Sequence, residues 1–409
     1  MKKFFKNFLE KFIEGILFLS SSVTTLTVLL IVIFLFREGL DVFKQSPVEE
    51  GFAIVINKNN PVKEITSPQL KNIFDQNITN WKALEGKPVN EYESKDSIIL
   101  FRIDNISTYF IDAQLGDSLQ YVGKCISSLV DSLPGIIAFI PDKYVDKNFA
   151  GRKLNMGKIT PSQFISGKEW FPTAQPAAQM GVLPLILGTL WVSLGAILIA
   201  LPLGLATAIY MAEIASDKVR RILKPLIELL AGIPSVVYGF FGLIVIVPMI
   251  QKVFNLPVGE TGLAGSIVLG IMALPTIITI SEDAIRTTPR EMKEASLALG
   301  ANKWQTIHRI ILPYSISGIT AAAILGIGRA IGETMAVLMV TGNAAVIPHS
   351  ILEPVRTIPA TIAAELGEAP QGGLHFKALF ALGCILFIFT MTINLLVEYI
   401  SSRNKYSKR

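Results

Sequence analysis

The run ILGIGRAIGETMAVLMVTGN, residues 324–343, sets an arginine and a glutamate four positions apart in an otherwise apolar stretch. A helix needs roughly 20 such residues to cross a bilayer, and an arginine at its centre costs about 2.5–3.5 kcal/mol on insertion scales. Read as a continuous helix, the run puts Arg329 and Glu333 on one face and within reach of each other. Gly328 and Gly332, also four apart, would leave a flat surface for another backbone. A planar guanidinium donates paired hydrogen bonds to an oxyanion. Arg329 is therefore expected to contact an anion in transit. Glu333 would hold the guanidinium between substrates and limit how tightly the anion binds, because a path that binds too well does not conduct. The plainer alternative is a structural salt bridge that neutralises a buried charge. Ser235 and Tyr238, beside Pro234, could donate to the same anion or satisfy local backbone. Thr334 adjoins Glu333 as a further candidate hydroxyl. Arg356 could guide anions at the mouth of the path, or be a solvated charge.

These residues need a membrane scaffold to position them. The chain has 409 residues, 51% of them hydrophobic, and a mean hydropathy of +0.51. Six stretches are apolar enough to span: about 15–36, 182–210, 225–250, 263–282, 315–341 and 378–400. Lys and Arg number 4 in the N-terminal segment, 4 in 211–224, 5 in 286–309 and 4 in the C-terminal tail, against Lys252, Arg356 and Lys377 alone in the short segments of the other side. By the positive-inside rule both termini are cytoplasmic. The net charge of +5 is then a topology signal facing membrane lipid and gives no reason to invoke nucleic acid. The first span reads as an uncleaved anchor. Pro202, Pro234, Pro248 and Pro275 are expected to interrupt the later spans.

Residues 37–176 differ in texture and form an α/β insert on the outer face. GFAIVIN, SIILFRI and GIIAFIP read as strands. SPQLKNIF reads as a helix with Ser67 as N-cap and Pro68 at the first helical position. In the late external loop, TIPATIAAEL suggests a short surface helix. Cys125 and Cys384 fall on different sides of this topology, so no disulfide between them is expected, and the three histidines form no metal-ligand spacing. No cofactor and no catalytic constellation is indicated.

Residues 294–313, EASLALGANKWQTIHRIILP, read as helix, glycine break, helix. They resemble the EAA---G---------I-LP loop of the permeases of ABC importers, with Glu294, Ala295, Gly300, Ile310, Leu312 and Pro313 in register and Ser296 in place of the second alanine. The resemblance implies that the loop (286–313 with its flanks) docks on a separate ATPase subunit and transmits its closure. The chain has no G-x-x-x-x-G-K-[ST], so the energy must come from that partner. GRAIGETMAVLMVTGN, LAGIPSVVYGFFG and EPVRTIPATIAAELGEA further resemble the PstC-type phosphate permease family over residues about 182–400. Residues 57–89 and 137–145 resemble part of the phosphate-binding proteins that feed such importers. RIDNIST, residues 102–108, corresponds to their R-x-x-x-S-G-T anion loop, with Arg102 and Thr108 matching but Ile106 and Ser107 where Ser-Gly would stand. The insert is expected to be a degenerate, single-lobed domain that docks a binding protein or shields the pore mouth, with an active tethered receptor as the alternative.

The expected architecture is an all-α polytopic membrane protein of the type I ABC importer permease fold with six transmembrane helices and an inserted extracytoplasmic α/β domain. Its parts are 1–36 (N-terminal segment and first helix), 37–176 (insert) and 177–409 (five helices with the coupling loop). The resemblance implies a non-enzymatic subunit for inorganic phosphate import in a prokaryotic plasma membrane. Its partners would be a homologous PstA-like permease, a PstB-like ATPase dimer and a PstS-like binding protein. A permease for sulfate or molybdate, or a phosphate sensor without transport, are the alternatives.

Overall fold

The structure, a computed structural model, describes residues 2–85, 96–116 and 119–406. A first helix, α1 (Lys2–Leu40), leads into the insert. The insert is built on a mixed sheet whose strands are β1 (Phe52–Ile56), β2 (Ile99–Arg102), β3 (Ile136–Pro141) and β4 (Arg152–Lys153). They lie in the order β2-β3-β1-β4, with β3 parallel to β2 and antiparallel to β1. All three expected strands form, because their β-branched residues fill both faces: Ile54, Ile56 and Ile137 on one and Val55, Phe101 and Ile136 on the other. Helices α2 (Ser67–Phe74) and α3 (Val122–Ser132) cover the two faces of the sheet, while α4 (Pro161–Ser166) sends Phe164 into a separate apolar cluster. The N-cap of α2 is Thr66, not Ser67: the Thr66 backbone N–H donates to Gln69 Oε1 at 3.0 Å, while the Ser67 hydroxyl donates to the Ala178 carbonyl at 3.0 Å. Ser67 is held by a backbone carbonyl distant in sequence and is not free to cap.

Among the described residues, six helices are long and apolar enough to cross a membrane. After the insert come α5 (Leu183–Ile209), α6 (Asp217–Ala231), α7 (Ser235–Phe241), α8 (Val247–Phe254) and α9 (Gly262–Arg286). They are followed by α10 (Arg290–Ala298), α11 (Lys303–Thr306), α12 (Leu312–Gly332), α13 (Met335–Val340), α14 (Ile358–Glu365) and α15 (Leu374–Tyr406). Helix α9 is the axis of the bundle. Side by side with it runs α5, where glycines let the chains touch: a Cβ on Gly195 would meet Ser266, and one on Gly204 would meet Ile277. On its other flank α12 is antiparallel, with Gly318 against Ala284 and Gly326 against Ile277. The first helix packs on the last through edge-on Phe34–Phe380 and Phe36–Phe387 pairs.

One end of α9 defines the insert side. There the Gly262 and Leu263 N–H groups donate to the carbonyls of Glu353 and Ile351 in the loop after α13, and the same loop meets the insert where the Trp170 N–H donates to the Ala345 carbonyl. Trp170 is fully buried with Phe164, Val42, Met180, Leu185 and Ile358, a cluster that joins insert to bundle. Helix α14 forms where TIPATIAAEL suggests it, but it is not a surface helix: Ile358, Pro359, Ala360 and Thr361 are all buried.

The prolines act differently from expectation. Pro202 and Pro275 lie inside continuous helices. Pro248 follows a π-helical turn, 242–246, that runs straight into α8. Of the four, Pro234 alone marks a break, between α6 and α7. The fifth crossing breaks without any proline. Helix α12 ends at Gly332, Glu333 turns extended (φ −70°, ψ 134°), and α13 starts afresh at Met335.

Candidate functional site

The break in the fifth crossing sits deep in the bundle. Arg329, in the last turn of α12, is level with Thr276 of α9, to whose hydroxyl its Nη1 donates at 3.4 Å. Thr276 lies about 21 Å along the helix from Gly262 and about 15 Å from Arg286, at 1.5 Å per residue. The expected mid-depth cation is thus present. A cation in the final turn also suits the negative end of the helix dipole, an effect of about 0.3–1 kcal/mol.

The expected pairing with Glu333 is not present. Because the helix stops at Gly332, the two residues no longer share a helical face, and no ion pair joins them. Glu333 Oε1 instead accepts from the Ala336 N–H at 3.5 Å, at the start of α13. Thr334 donates to the Gly332 carbonyl at 3.3 Å, satisfying an acceptor that the break frees. Arg329, Glu333 and Thr334 are half-buried. Gly328 and Gly332 face open space, so no backbone of this chain uses the flat surface they leave.

The third crossing starts at Ser235, just after the break at Pro234, and its first helix lies against the break of the fifth. A Cβ on Gly239 of α7 would meet the Ala336 backbone of α13, and Tyr238 shares a buried cluster with Ala330, Ala336 and Val337. The Tyr238 hydroxyl donates to the Leu230 carbonyl at 2.8 Å, so its proton is engaged with backbone freed at the break before Pro234. Ser235, half-buried, opens α7. Two helix breaks, a cation and several hydroxyls therefore converge at one depth. Irregular backbone in a membrane is tolerated where it is buried in protein or lines a polar cavity.

At the end opposite the insert, residues 290–313 form the expected helix, turn and helix. Gly300 has φ +84°, while a Cβ there would meet nothing, so conformation alone requires the glycine. Asn302 caps α11 by accepting from the Gln305 N–H at 2.8 Å. The departure from the EAA pattern has a structural use: the Ser296 and Thr306 hydroxyls meet at 3.0 Å and pin the two helices together. Lys293 pairs with Glu213 at 2.5 Å, tying the element to the end of the second crossing. Glu294, Ala295, Gly300 and Pro313 are exposed, with Ile310 and Leu312 half-buried. Leu299 is 90% and Trp304 62% exposed. A protruding apolar tip on a membrane protein is an interaction surface.

Two ion clusters were not foreseen. Glu282 of α9, 1% exposed, accepts from Arg220 Nε at 2.9 Å, with Lys224 at 3.4 Å and Arg286 at 3.5 Å. Its sequence signal was an acid one turn before Arg286 at the end of a span. On the insert side, Arg356 is not a lone solvated charge. Its Nη2 contacts Glu365 Oε1 at 2.9 Å, while Glu365 Oε2 meets His375 Nε2 at 2.8 Å and Trp170 Nε1 at 3.0 Å. Burial pushes the Glu365 carboxyl up, but hydrogen bonds from His375 and Trp170 and the Arg356 charge outweigh it and hold it below the usual carboxylate value.

In the insert, Arg102 lies over the Phe74 ring at 5.0 Å, and Ser107 and Thr108 are exposed on a one-turn helix. A cleft of about 440 Å³ lies elsewhere in the insert, beside α2 and α4, with Ile65, Phe164 and Met180 among its walls. Among the described residues no group of three or more His, Cys, Asp or Glu comes together to hold a metal.

Paired helix breaks around a mid-depth cation, with an exposed helix pair projecting from one end of the bundle, define a polytopic membrane transport component. Residues 200–406 match the binding-protein-dependent transport system inner membrane component family, and the chain belongs to that family: it is the permease subunit of an ABC importer. Residues 37–185 match the PBP superfamily domain. The probable ABC transporter permease protein YqgH of Bacillus subtilis is 42% identical over 247 residues, 60% of this chain and 80% of its own length. The phosphate transport system permease protein PstC of Mesorhizobium japonicum is 38% identical over 259 residues, 59% of this chain and 78% of its own. A chain of the inward-facing MetNI methionine ABC transporter is 20% identical, with 55% of this chain and 94% of that one covered and a TM-score of 0.42.

Proposed function

We propose that this chain is the PstC-type membrane subunit of an ATP-driven inorganic phosphate importer, with Arg329 as the anion contact in the translocation path. The observation that carries the reading is the state of Arg329: a half-buried guanidinium at mid-depth, with one 3.4 Å hydrogen bond and no ion pair among the described residues. Its remaining donors are open to a tetrahedral oxyanion. Relatives named as phosphate transport permeases supply the substrate class. Glu333, at the turn just beyond, limits retention of the anion through charge repulsion. Ser235 opens the helix after the break and is the hydroxyl placed to donate to the anion, while Tyr238 and Thr334 would first have to give up the Leu230 and Gly332 carbonyls.

The open face at Gly328 and Gly332 is where a homologous PstA-like permease would complete the path. The tip formed by α10 and α11 would seat in a PstB-like ATPase dimer, which hydrolyses ATP; this chain is not itself an enzyme. The insert side would receive a PstS-like binding protein. The positive-inside rule puts both termini and the α10–α11 tip in the cytoplasm of a prokaryotic cell.

Radiolabelled phosphate uptake tests the reading in cells lacking this permease that co-express its partners with wild type or Arg329→Gln at matched membrane levels. Loss of uptake with the ATPase still co-purifying is the expected result. Wild-type uptake by the variant would reduce Arg329 to a structural group, and uptake of sulfate in place of phosphate would move the substrate class.

A further inference from the structure

Helix α6 shows three faces. Arg220, Leu223, Lys224 and Ile227 are half-buried, and Arg220 and Lys224 reach Glu282 on α9. Val219, Ile222, Leu226 and Leu229 form an exposed apolar stripe. The third face carries Asp217, Arg221 and Glu228, spaced by four and seven residues and so aligned on one side. All three are exposed and make no hydrogen bond or ion pair with any described residue.

Depth makes this face informative. Lys224 pairs with Glu282 and Asp283 of α9, and Ile233, just past the end of α6, packs against the apolar cluster that contains Tyr238. Glu228, one turn past Lys224, therefore lies between the level of that ion cluster and the start of the third crossing at Ser235. An ionised carboxylate facing hydrocarbon there is costly, and such residues face water or a pathway. The apolar stripe gives the helix a different side for lipid. An open groove of about 500 Å³ follows the polar side, lined by Asp217, Arg220, Arg221, Lys224, Pro225 and Glu228. Of its three cations, Arg220 and Lys224 are pinned by Glu282 and Asp283, which leaves Arg221 with its donors free among the described residues.

We infer that the polar face of α6 lines a water-filled vestibule between the helix breaks and the α10–α11 end, with Arg221 as the second anion site and Glu228 as the group that hastens release. The inference rests on the phosphate-import reading for the identity of the anion; the vestibule itself does not. An anion leaving Arg329 would find Arg221 as the next open guanidinium. Glu228, two turns from Arg221 on the same face, keeps the anion from settling.

The test uses the complete importer in a Cys125→Ser, Cys384→Ser background, with single cysteines from Arg221→Cys, Glu228→Cys and Leu226→Cys, and a charged methanethiosulfonate as probe. Positions 221 and 228 should react at least tenfold faster than 226, and saturating inorganic phosphate should slow the reaction at 221. Arg221→Gln should lower the maximal uptake rate severalfold, with Arg221→Lys restoring most of it. Position 228 as unreactive as 226 would overturn the vestibule. Full reactivity at 221 without phosphate protection, together with wild-type uptake by Arg221→Gln, would overturn the second site. If wild type carries no phosphate at all, the phosphate reading falls, while the contrast between 228 and 226 still decides whether the vestibule exists.

Discussion

Arg329 and Thr276 meet across two antiparallel helices at 3.4 Å, and among the described residues this is the single hydrogen bond of the mid-depth guanidinium. A contact that long positions the group without satisfying it. Hydrogen bonds to charged groups contribute about 1.5–3 kcal/mol, which converts to roughly tenfold to 100-fold in rate. Arg329→Gln should therefore cut phosphate uptake by about that range. Thr276→Val, which removes only the long tether, should cost less than about tenfold. Transport kinetics at matched expression check both.

Gly300→Ala separates conformation from contact. The added methyl would meet nothing, but φ +84° is strained for any residue with a Cβ, at about 1–2 kcal/mol. The turn between α10 and α11 should shift, and phosphate-stimulated ATPase activity of the assembled importer should fall several-fold, while the isolated permease keeps its thermal stability to within about that strain energy.

Glu282→Gln should destabilise the end of the bundle that carries α10 and α11. Removing one member of a buried ion cluster costs about 3–5 kcal/mol. Because Arg220, Lys224 and Arg286 are 26%, 31% and 42% exposed and can turn to water, roughly 1–3 kcal/mol is expected here. A lower Tm of the detergent-solubilised chain is the readout, with Asp283→Asn, at an exposed carboxylate, as the milder comparison.

Acid should loosen the joint between insert and bundle. The folded-state pKa of Glu365 is held below its ordinary 4.5. Its contribution to stability is therefore full above the ordinary value and is lost as the pH falls through the lower folded value. Wild type should lose thermal stability on acidification below 4.5 faster than Glu365→Gln, which starts less stable but lacks this titration. Melting curves of the two across that range would show it; parallel curves would mean that Glu365 contributes no pH dependence.

The spans, the three insert strands and the helix–glycine–helix tip were legible because each is encoded locally. Hydropathy runs mark the spans, β-branched runs mark the strands, and Gly300 punctuates the tip. The break at Glu333 was not legible. No proline stands there, and a glycine at position 332 within a spanning run is as compatible with a continuous helix as with a stop. Arg356 read as solvated because its partners, Glu365 and His375, reach it only once α14 and α15 fold beside it. Ser67 looked like a cap because the residue that engages it, Ala178, lies 111 positions away. Local patterns thus gave the elements of the site, and long-range packing decided which side chains were already engaged.

The buried Trp170 bears on how this protein can be taken apart. A cut at residue 176 follows the change in sequence texture, yet it would remove Phe164 and Trp170 from a core they share with Leu185 and Ile358, and it would leave Glu365 without one of its donors. The insert is not an interchangeable module joined by a hinge. The same core also takes in Leu379 and Leu382, so the insert is packed on the second and sixth crossings alike. A graft or deletion would keep a folded membrane portion only if it left the Phe164–Trp170 wedge in place.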